Sequence, residues 1–160
     1  HYMRIREIQV EDNLQIESVI KSTFIELRLP LTGTAYEDIE TTRMFESYQE
    51  EKSIYFVIEE QGVIKGGGGV KLLTSLDESI CELQKMYFSI DLRGKGYGKK
   101  LLSKCLEAAR KMGYKYCYLE TLSQLEKAIS LYKQNGFENL EIPYGNTGHN
   151  SCGVWMLKTL

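Results

Sequence analysis

A length of 160 residues suits one domain with a substantial core, because a chain of about 150 residues buries close to 70% of its unfolded surface on folding. The net charge of −2 argues against a general nucleic-acid binder, for which a basic balance is expected. Cys81, Cys105, Cys117 and Cys152 occur without a C-x-x-C pair and read as thiols of a reducing compartment; with no signal-peptide pattern and no apolar run of about 18 residues, the expectation is a cytoplasmic protein with no membrane partner.

In chain order, residues 3–9 alternate as a short strand, and Glu11 and Asp12 supply carboxylates where a following helix needs them. Ile16, Val19, Ile20, Phe24 and Leu27 recur at helical spacing, and the stretch 29–34, with Pro30 and Gly33, ends that helix. A second helix is expected over residues 37–49, carrying Ile39, Met44, Phe45 and Tyr48 on one side. Residues 53–60 and 63–74 read as a hairpin closed at Gln61-Gly62. Four glycines from Gly66 to Gly69 lie inside its second arm. They indicate close approach of a neighbouring element or a bulge, in preference to close approach of a ligand. A strand over 80–88 follows, then a helix over about 96–112 with Leu101, Leu102, Cys105, Leu106, Ala109 and Met112 inward and Gly113 closing it. A strand over 114–121, a helix over 125–135 ended by Gly136, and two strands around a turn at 143–146 complete the chain. Hairpin strands followed by a strand–helix–strand crossover imply a mixed sheet covered by helices.

The most informative stretch is Arg93-Gly94-Lys95-Gly96-Tyr97-Gly98-Lys99-Lys100, at a strand-to-helix junction. Alternating glycines let the backbone fold so that several N–H groups and the positive end of the helix dipole meet at one spot, which suits a pyrophosphate. The dinucleotide fingerprint fails here, since the sixth place from Gly94 is Lys99. A Walker loop fails too, because neither this stretch nor residues 66–71 supply its Gly-Lys-Ser/Thr ending.

The pattern Arg-x-x-Gly-x-Gly, here Arg93 to Gly98, resembles the pyrophosphate-binding signature of the GNAT superfamily of acetyl-CoA-dependent N-acetyltransferases. Residues 128–137, Ala-Ile-Ser-Leu-Tyr-Lys-Gln-Asn-Gly-Phe, resemble the second conserved region of that family. The resemblance spans nearly the whole chain and is weakest in the first 50 or so residues. It implies an α+β, three-layer fold: a mixed, mostly antiparallel sheet of about seven strands, flanked by about four helices, with a splayed strand pair. Residues 3–160 are then a single N-acetyltransferase domain. Acetyl-CoA is the implied co-substrate, with no metal. Its pyrophosphate would lie on Arg93, Gly94, Lys95, Gly96, Tyr97, Gly98 and Lys99, and its pantetheine arm on backbone groups of Met86 and Phe88. An asparagine that contacts the cofactor in many members is Leu125 here, leaving Gln124 as a substitute. A homodimer is a common assembly of the family.

Acetyl transfer to an amine needs a neutral nucleophile, a stabilised carbonyl oxygen and a protonated leaving thiolate. Glu82, eleven positions before Arg93, matches the general base of the histone-acetyltransferase branch. Its bland alternative is a solvent-facing carboxylate paired with Lys85, and Glu120 is the competing base. Tyr132 matches the tyrosine that in many members protonates the coenzyme A sulfur; its alternative is a core-facing helix aromatic. His149 and Cys152 lack the partners that a metal site or a nucleophile pair would need. Tyr36, Tyr55 and Tyr144 are candidate pocket aromatics. The expected function is transfer of an acetyl group from acetyl-CoA to a primary amine, of a small molecule or a peptide, by direct attack in a ternary complex. The rival is a non-catalytic acyl-CoA-binding module.

Overall fold

The computed structural model describes residues 3–75, 77–145 and 153–160. Seven strands, β1 (Met3–Glu7), β2 (Ile54–Glu60), β3 (Val63–Leu72), β4 (Ile80–Phe88), β5 (Tyr116–Thr121), β6 (Glu138–Leu140) and β7 (Val154–Thr159), form one sheet in the order β1-β2-β3-β4-β5-β7-β6. Every neighbouring pair is antiparallel except β4 and β5, which run parallel. The β2–β3 hairpin turns at Gln61 (φ 49°) and Gly62 (φ 82°), the two left-handed residues that a tight hairpin matching strand twist requires.

Helices cover both faces. α1 (Asn13–Glu26) and the four-residue α2 (Met44–Ser47) bury Ile16, Ile20, Phe24 and Met44 against Tyr55, Val57 and Ile64. On the other face α3 (Tyr97–Lys111) and α4 (Glu126–Gln134) pack Leu101, Leu102, Cys105 and Tyr132 on Phe56, Ile58, Leu83 and Leu119. Strand alternation sorts the two sets: neighbouring β2 residues Tyr55 and Phe56 enter opposite cores. Cys81, Cys105 and Cys117 are buried free thiols, as their apolar surroundings in the sequence predict.

The helix expected over residues 37–49 is broken. A 3-10 turn at Ile39–Thr42 precedes α2, and Arg43 between them leaves the helical region (φ −146°, ψ 56°). Side chains hold the segment where helical backbone bonds would have done so. Asp38 accepts from the Glu40 N–H at 3.0 Å, Thr41 donates to the Ala35 carbonyl at 2.6 Å, and Asn13 Oδ1 of α1 accepts from the Phe45 N–H at 2.8 Å. Local bonding of Asp and Thr to backbone competes with helix propagation.

The glycine run has a steric cause. A Cβ on Gly67 would lie 2.6 Å from Tyr55 Cε1, one on Gly66 would lie 2.9 Å from Phe88 Cδ1, and one on Gly68 would lie 3.0 Å from Met86 Cε. The β3–β4 register also shifts between Gly67 and Gly69, which leaves Lys85 in the left-handed region at φ 50°. Neighbour approach and a bulge thus both occur.

Candidate active site

The parallel β4–β5 ladder joins only Ile80, Cys81 and Glu82 to Tyr116, Cys117 and Tyr118. Beyond Glu82 the two strands share no ladder, and a cleft opens there on the α1 side. Phe24, Thr34, Ala35, Glu82 and Leu122 line that lobe; Met86, Leu119, Ala128 and Tyr132 line a second lobe toward α4; Gln84, Lys85, Tyr87, Glu120, Thr121 and Leu125 bound both.

Where β4 leaves the sheet, the glycine-rich turn leads into α3. Gly94 (φ 77°) and Gly96 (φ 83°) are left-handed with open space where a Cβ would be, so they are required by conformation. Gly98 differs from them: it has no left-handed backbone, and the nearest atom its Cβ would meet is the side-chain end of Leu131 of α4, at 3.1 Å. Gly96 caps α3 from outside the helix, leaving the first-turn N–H groups without intrahelical partners. Lys95 and Lys99 are exposed beside this turn, and the Lys100 ammonium lies 5.1 Å from the centre of the Tyr97 ring. Arg93 turns the other way: Nε donates to the Phe88 carbonyl at 3.1 Å, and the guanidinium lies 3.6 Å from Glu26 and 3.5 Å from Thr23 Oγ1 of α1. It ties the end of β4 to α1.

Antiparallel pairing also orients the end of β4. Ser89 N–H donates to the Lys65 carbonyl at 2.8 Å, so alternation turns the N–H and carbonyl of Phe88 away from β3, toward the splay. The carbonyl already accepts from Arg93, which leaves the N–H as the group that can face a ligand there.

Glu82 is buried on the α1 side of β4, only 4% exposed, and accepts from Gln84 Nε2 at 2.6 Å. This corrects the alternative of a solvent-facing carboxylate paired with Lys85. Lys85 is itself buried, and its ammonium meets Asp38 at 3.0 Å and Glu40 at 3.5 Å. Across the splay, Glu120 accepts from the Tyr118 hydroxyl at 2.6 Å, so both carboxylates considered from the sequence reach one cleft. Tyr132 packs edge-on against Phe137 (5.8 Å between ring centres) and borders the opposite lobe. Burial lifts its phenol above the ordinary range, which keeps it protonated at every working pH.

Gln124 is exposed just before α4, and its Oε1 accepts from the Ser123 hydroxyl at 3.3 Å; Leu125, not Gln124, borders the cleft. Tyr36, Tyr55 and Tyr144 do not line it. Tyr55 is buried and donates to the Lys85 carbonyl at 2.6 Å, Tyr36 packs on Phe24, and Tyr144 stacks on Tyr118. His149 and Cys152 lie outside the described residues. Sequence reasoning missed Tyr48, Gln84 and the partners of Lys85. The only local signal concerns β4 itself, where Glu82 and Gln84 alternate but Lys85 and Tyr87 continue one residue out of step; nothing local marks Tyr48, Asp38 or Glu40 as their neighbours. Among the described residues no cluster of three His, Cys, Asp or Glu is placed to hold a metal, and no helix is long and apolar enough to cross a membrane.

The sequence model of the Acetyltransferase (GNAT) family matches residues 21–137. The chain is 41% identical over 157 residues to the uncharacterized N-acetyltransferase YjgM of Escherichia coli (strain K12), an alignment covering 98% of this chain and 94% of that protein. A GNAT-family acetyltransferase from Staphylococcus aureus Mu50 shares the fold with a TM-score of 0.88 at 19% identity, over 99% of each chain. The protein yncA from Salmonella typhimurium, solved with its cofactor acetyl-CoA, does so with a TM-score of 0.79 at 22% identity, over 100% of this chain and 95% of that one. The sheet with one parallel junction, the glycine turn feeding α3, the family match and the near-full-length relative agree: the chain belongs to the GNAT family of acetyltransferases.

Proposed function

We propose that the protein transfers an acetyl group from acetyl-CoA to a primary amine by direct attack in a ternary complex. The observation that carries this reading is the division of the splayed cleft, with Glu82 in one lobe and Tyr132 in the other. The acetyl-CoA bound to the Salmonella relative supports the choice of co-substrate. The pyrophosphate would sit on the N–H groups of the turn from Gly94 to Gly98 at the start of α3, with Lys95 and Lys99 adding charge and Tyr97 beside them. Arg93 would act by fixing the end of β4. The pantetheine arm would run along Met86 and Phe88; Gln124, exposed outside the cleft, would meet the cofactor only from the solvent side. The Phe88 N–H would polarise the thioester carbonyl.

An alkylamine has a pKa near 10, so the acceptor arrives as an ammonium ion and must lose a proton before it attacks. Glu82 would take that proton, directly or through a water. The neutral amine then adds to the thioester carbon, its nitrogen, now cationic, releases a second proton to water, the C–S bond breaks, and the coenzyme A sulfur leaves. Tyr132 would hand its proton to that sulfur and regain one from solvent, to which Glu82 in turn releases its own. A phenol raised by burial transfers its proton only as charge develops on sulfur, and desolvation raises the basicity of the thiolate by the same mechanism. We read residues 3–160 as one catalytic domain; a small amine or the end of a peptide fits an acceptor lobe closed by the segment around Thr34 and Ala35.

The test is release of the coenzyme A thiol from acetyl-CoA with a panel of spermidine, tyramine and a lysine-bearing peptide. Wild type should release thiol in an amine-dependent way. Glu82→Gln should lower kcat/KM by about 10²-fold or more, with partial recovery as pH approaches the pKa of the acceptor ammonium. Tyr132→Phe should lower kcat by a similar factor while acetyl-CoA affinity holds. Amine-dependent release at wild-type rates in both variants would refute these roles; binding without any release across a broad amine panel would favour the acyl-CoA-binding module.

A further inference from the structure

We infer that Gln84 is a positioning residue for the reaction: clamped by the Tyr48 hydroxyl, its amide orients the Glu82 carboxylate and holds it ionised. The inference rests on the reading of Glu82 as the base. Glu82 and Gln84 are two apart on β4 and so share a face. Gln84 Nε2 donates to Glu82 Oε1 at 2.6 Å, and Gln84 Oε1 accepts from the Tyr48 hydroxyl at 2.7 Å. An ionised carboxylate and an amide oxygen can only accept, so with Glu82 ionised Gln84 Nε2 must face it and Gln84 Oε1 is left for the Tyr48 hydroxyl. Protonation of Glu82 would reverse both bonds and turn the amide over.

Tyr48 is a rigid anchor. It is 3% exposed, its ring centre lies 5.0 Å from that of Tyr55, and the Lys71 ammonium lies over its ring, 4.7 Å from the centre. Burial of Glu82 favours its protonated form, which cannot accept a proton from an amine; an N–H donor aimed at the carboxylate opposes that tendency. Among the described residues, charged and titratable groups around Glu82 come from β3, β4, β5 and the segment before β2. Lys71 on β3 is its register partner and bonds Glu40 at 2.8 Å. Lys85 on β4 meets Asp38 and Glu40. Tyr48 and the carboxylates Asp38 and Glu40 belong to the segment before β2, and on β5 Tyr118 donates to Glu120. Both lysine ammoniums are thus directed onto carboxylates of that segment, while the Gln84 amide is directed onto Glu82. The same segment that walls the acceptor lobe also supplies the anchor of the relay.

The experiment labels glutamate with ¹³C at the side-chain carboxyl and follows its chemical shift against pH in the whole protein; the Glu82 resonance is the one lost in Glu82→Gln. Gln84→Leu removes both bonds and should raise the Glu82 midpoint by about one pH unit or more. Tyr48→Phe removes only the clamp and should raise it by less. The acidic limb of kcat/KM, measured with the panel amine turned over fastest, should move to higher pH by the same amounts, with acetyl-CoA affinity unchanged. An unchanged midpoint in Gln84→Leu overturns the inference; if that variant does not fold, an unchanged midpoint in Tyr48→Phe does so. Full turnover in Glu82→Gln would instead refute Glu82 as base, whatever the titration shows, so the two failures are separable.

Discussion

Gly96→Ala probes the anion site without any knowledge of the acceptor. At φ 83° an added Cβ meets nothing within 4 Å, so the cost is conformational alone, about 1–2 kcal/mol for an L-residue in the left-handed region. Two limits bracket the outcome. If the turn keeps its shape, the full cost falls on stability and lowers Tm by about 2–8 °C for a chain of this size. If the turn relaxes in the free protein, stability is spared and the ligand must restore the left-handed turn. The cost then appears as a 5- to 30-fold loss of acetyl-CoA affinity, taking about 1.4 kcal/mol per factor of ten. Calorimetric melting and titration with acetyl-CoA measure both terms, whose sum should be about 1–2 kcal/mol. Gly98→Ala is the contrast. Its neighbour at 3.1 Å is the end of the Leu131 side chain, which can rotate, and alanine gains roughly 0.5–1 kcal/mol over glycine inside a helix, so stability should hold or rise. Wild-type Tm and affinity in Gly96→Ala would refute the assignment of this turn as a conformationally required cradle.

Gly67→Ala should destabilise by about 1–3 kcal/mol, as overpacking does. Its Cβ would meet Tyr55, whose hydroxyl is tied to the Lys85 carbonyl at 2.6 Å; a Tm within a degree of wild type would show that Tyr55 is free to yield. Asp12 gives a pH-dependent prediction. Burial pushes its carboxyl up, but two bonds from Arg6 (2.8 and 3.0 Å) and one from the Gln9 N–H (2.8 Å) outweigh burial and hold it below the ordinary aspartate range. A folded-state pKa below the unfolded one contributes stability that is present above about pH 4 and lost as pH falls further. Asp12→Asn should therefore be less stable than wild type by about 1–2 kcal/mol at pH 7, with the gap closing in acid. Denaturant melts at pH 7 and pH 3 decide it, and an equal gap at both would contradict the linkage.

The parts of the fold legible in the sequence were those fixed by local chemistry. Gln61-Gly62 marks its hairpin because two consecutive residues must be left-handed there. The signature from Arg93 to Gly98 marks the start of α3 because Gly94 and Gly96 answer a backbone requirement that no other residue meets without strain. Residues 37–49 have helical apolar spacing, but Asp38, Thr41 and Asn13 divert the backbone, and Asn13 reaches it from a distant part of the chain. Such a partner is invisible to local periodicity. Lys85 shows the same limit. A lysine among strand residues reads as exposed, and only the fold brings Asp38 and Glu40 to neutralise it in a buried place. Glu82, Glu120 and Tyr132 were legible as types at strand and helix positions, whereas their meeting in one cleft depends on the β4–β5 ladder ending at Glu82.

Every role given to the splayed cleft depends on acetyl-CoA binding, and thermal unfolding with and without acetyl-CoA and free coenzyme A measures that binding without an acceptor. At a ligand concentration about 100 times Kd, one-site binding adds roughly 2.7 kcal/mol of stability, which for a domain of this size raises Tm by about 5–10 °C. Such a rise is expected with both ligands, diminished in Gly96→Ala if the turn relaxes. No rise at millimolar acetyl-CoA would contradict those roles.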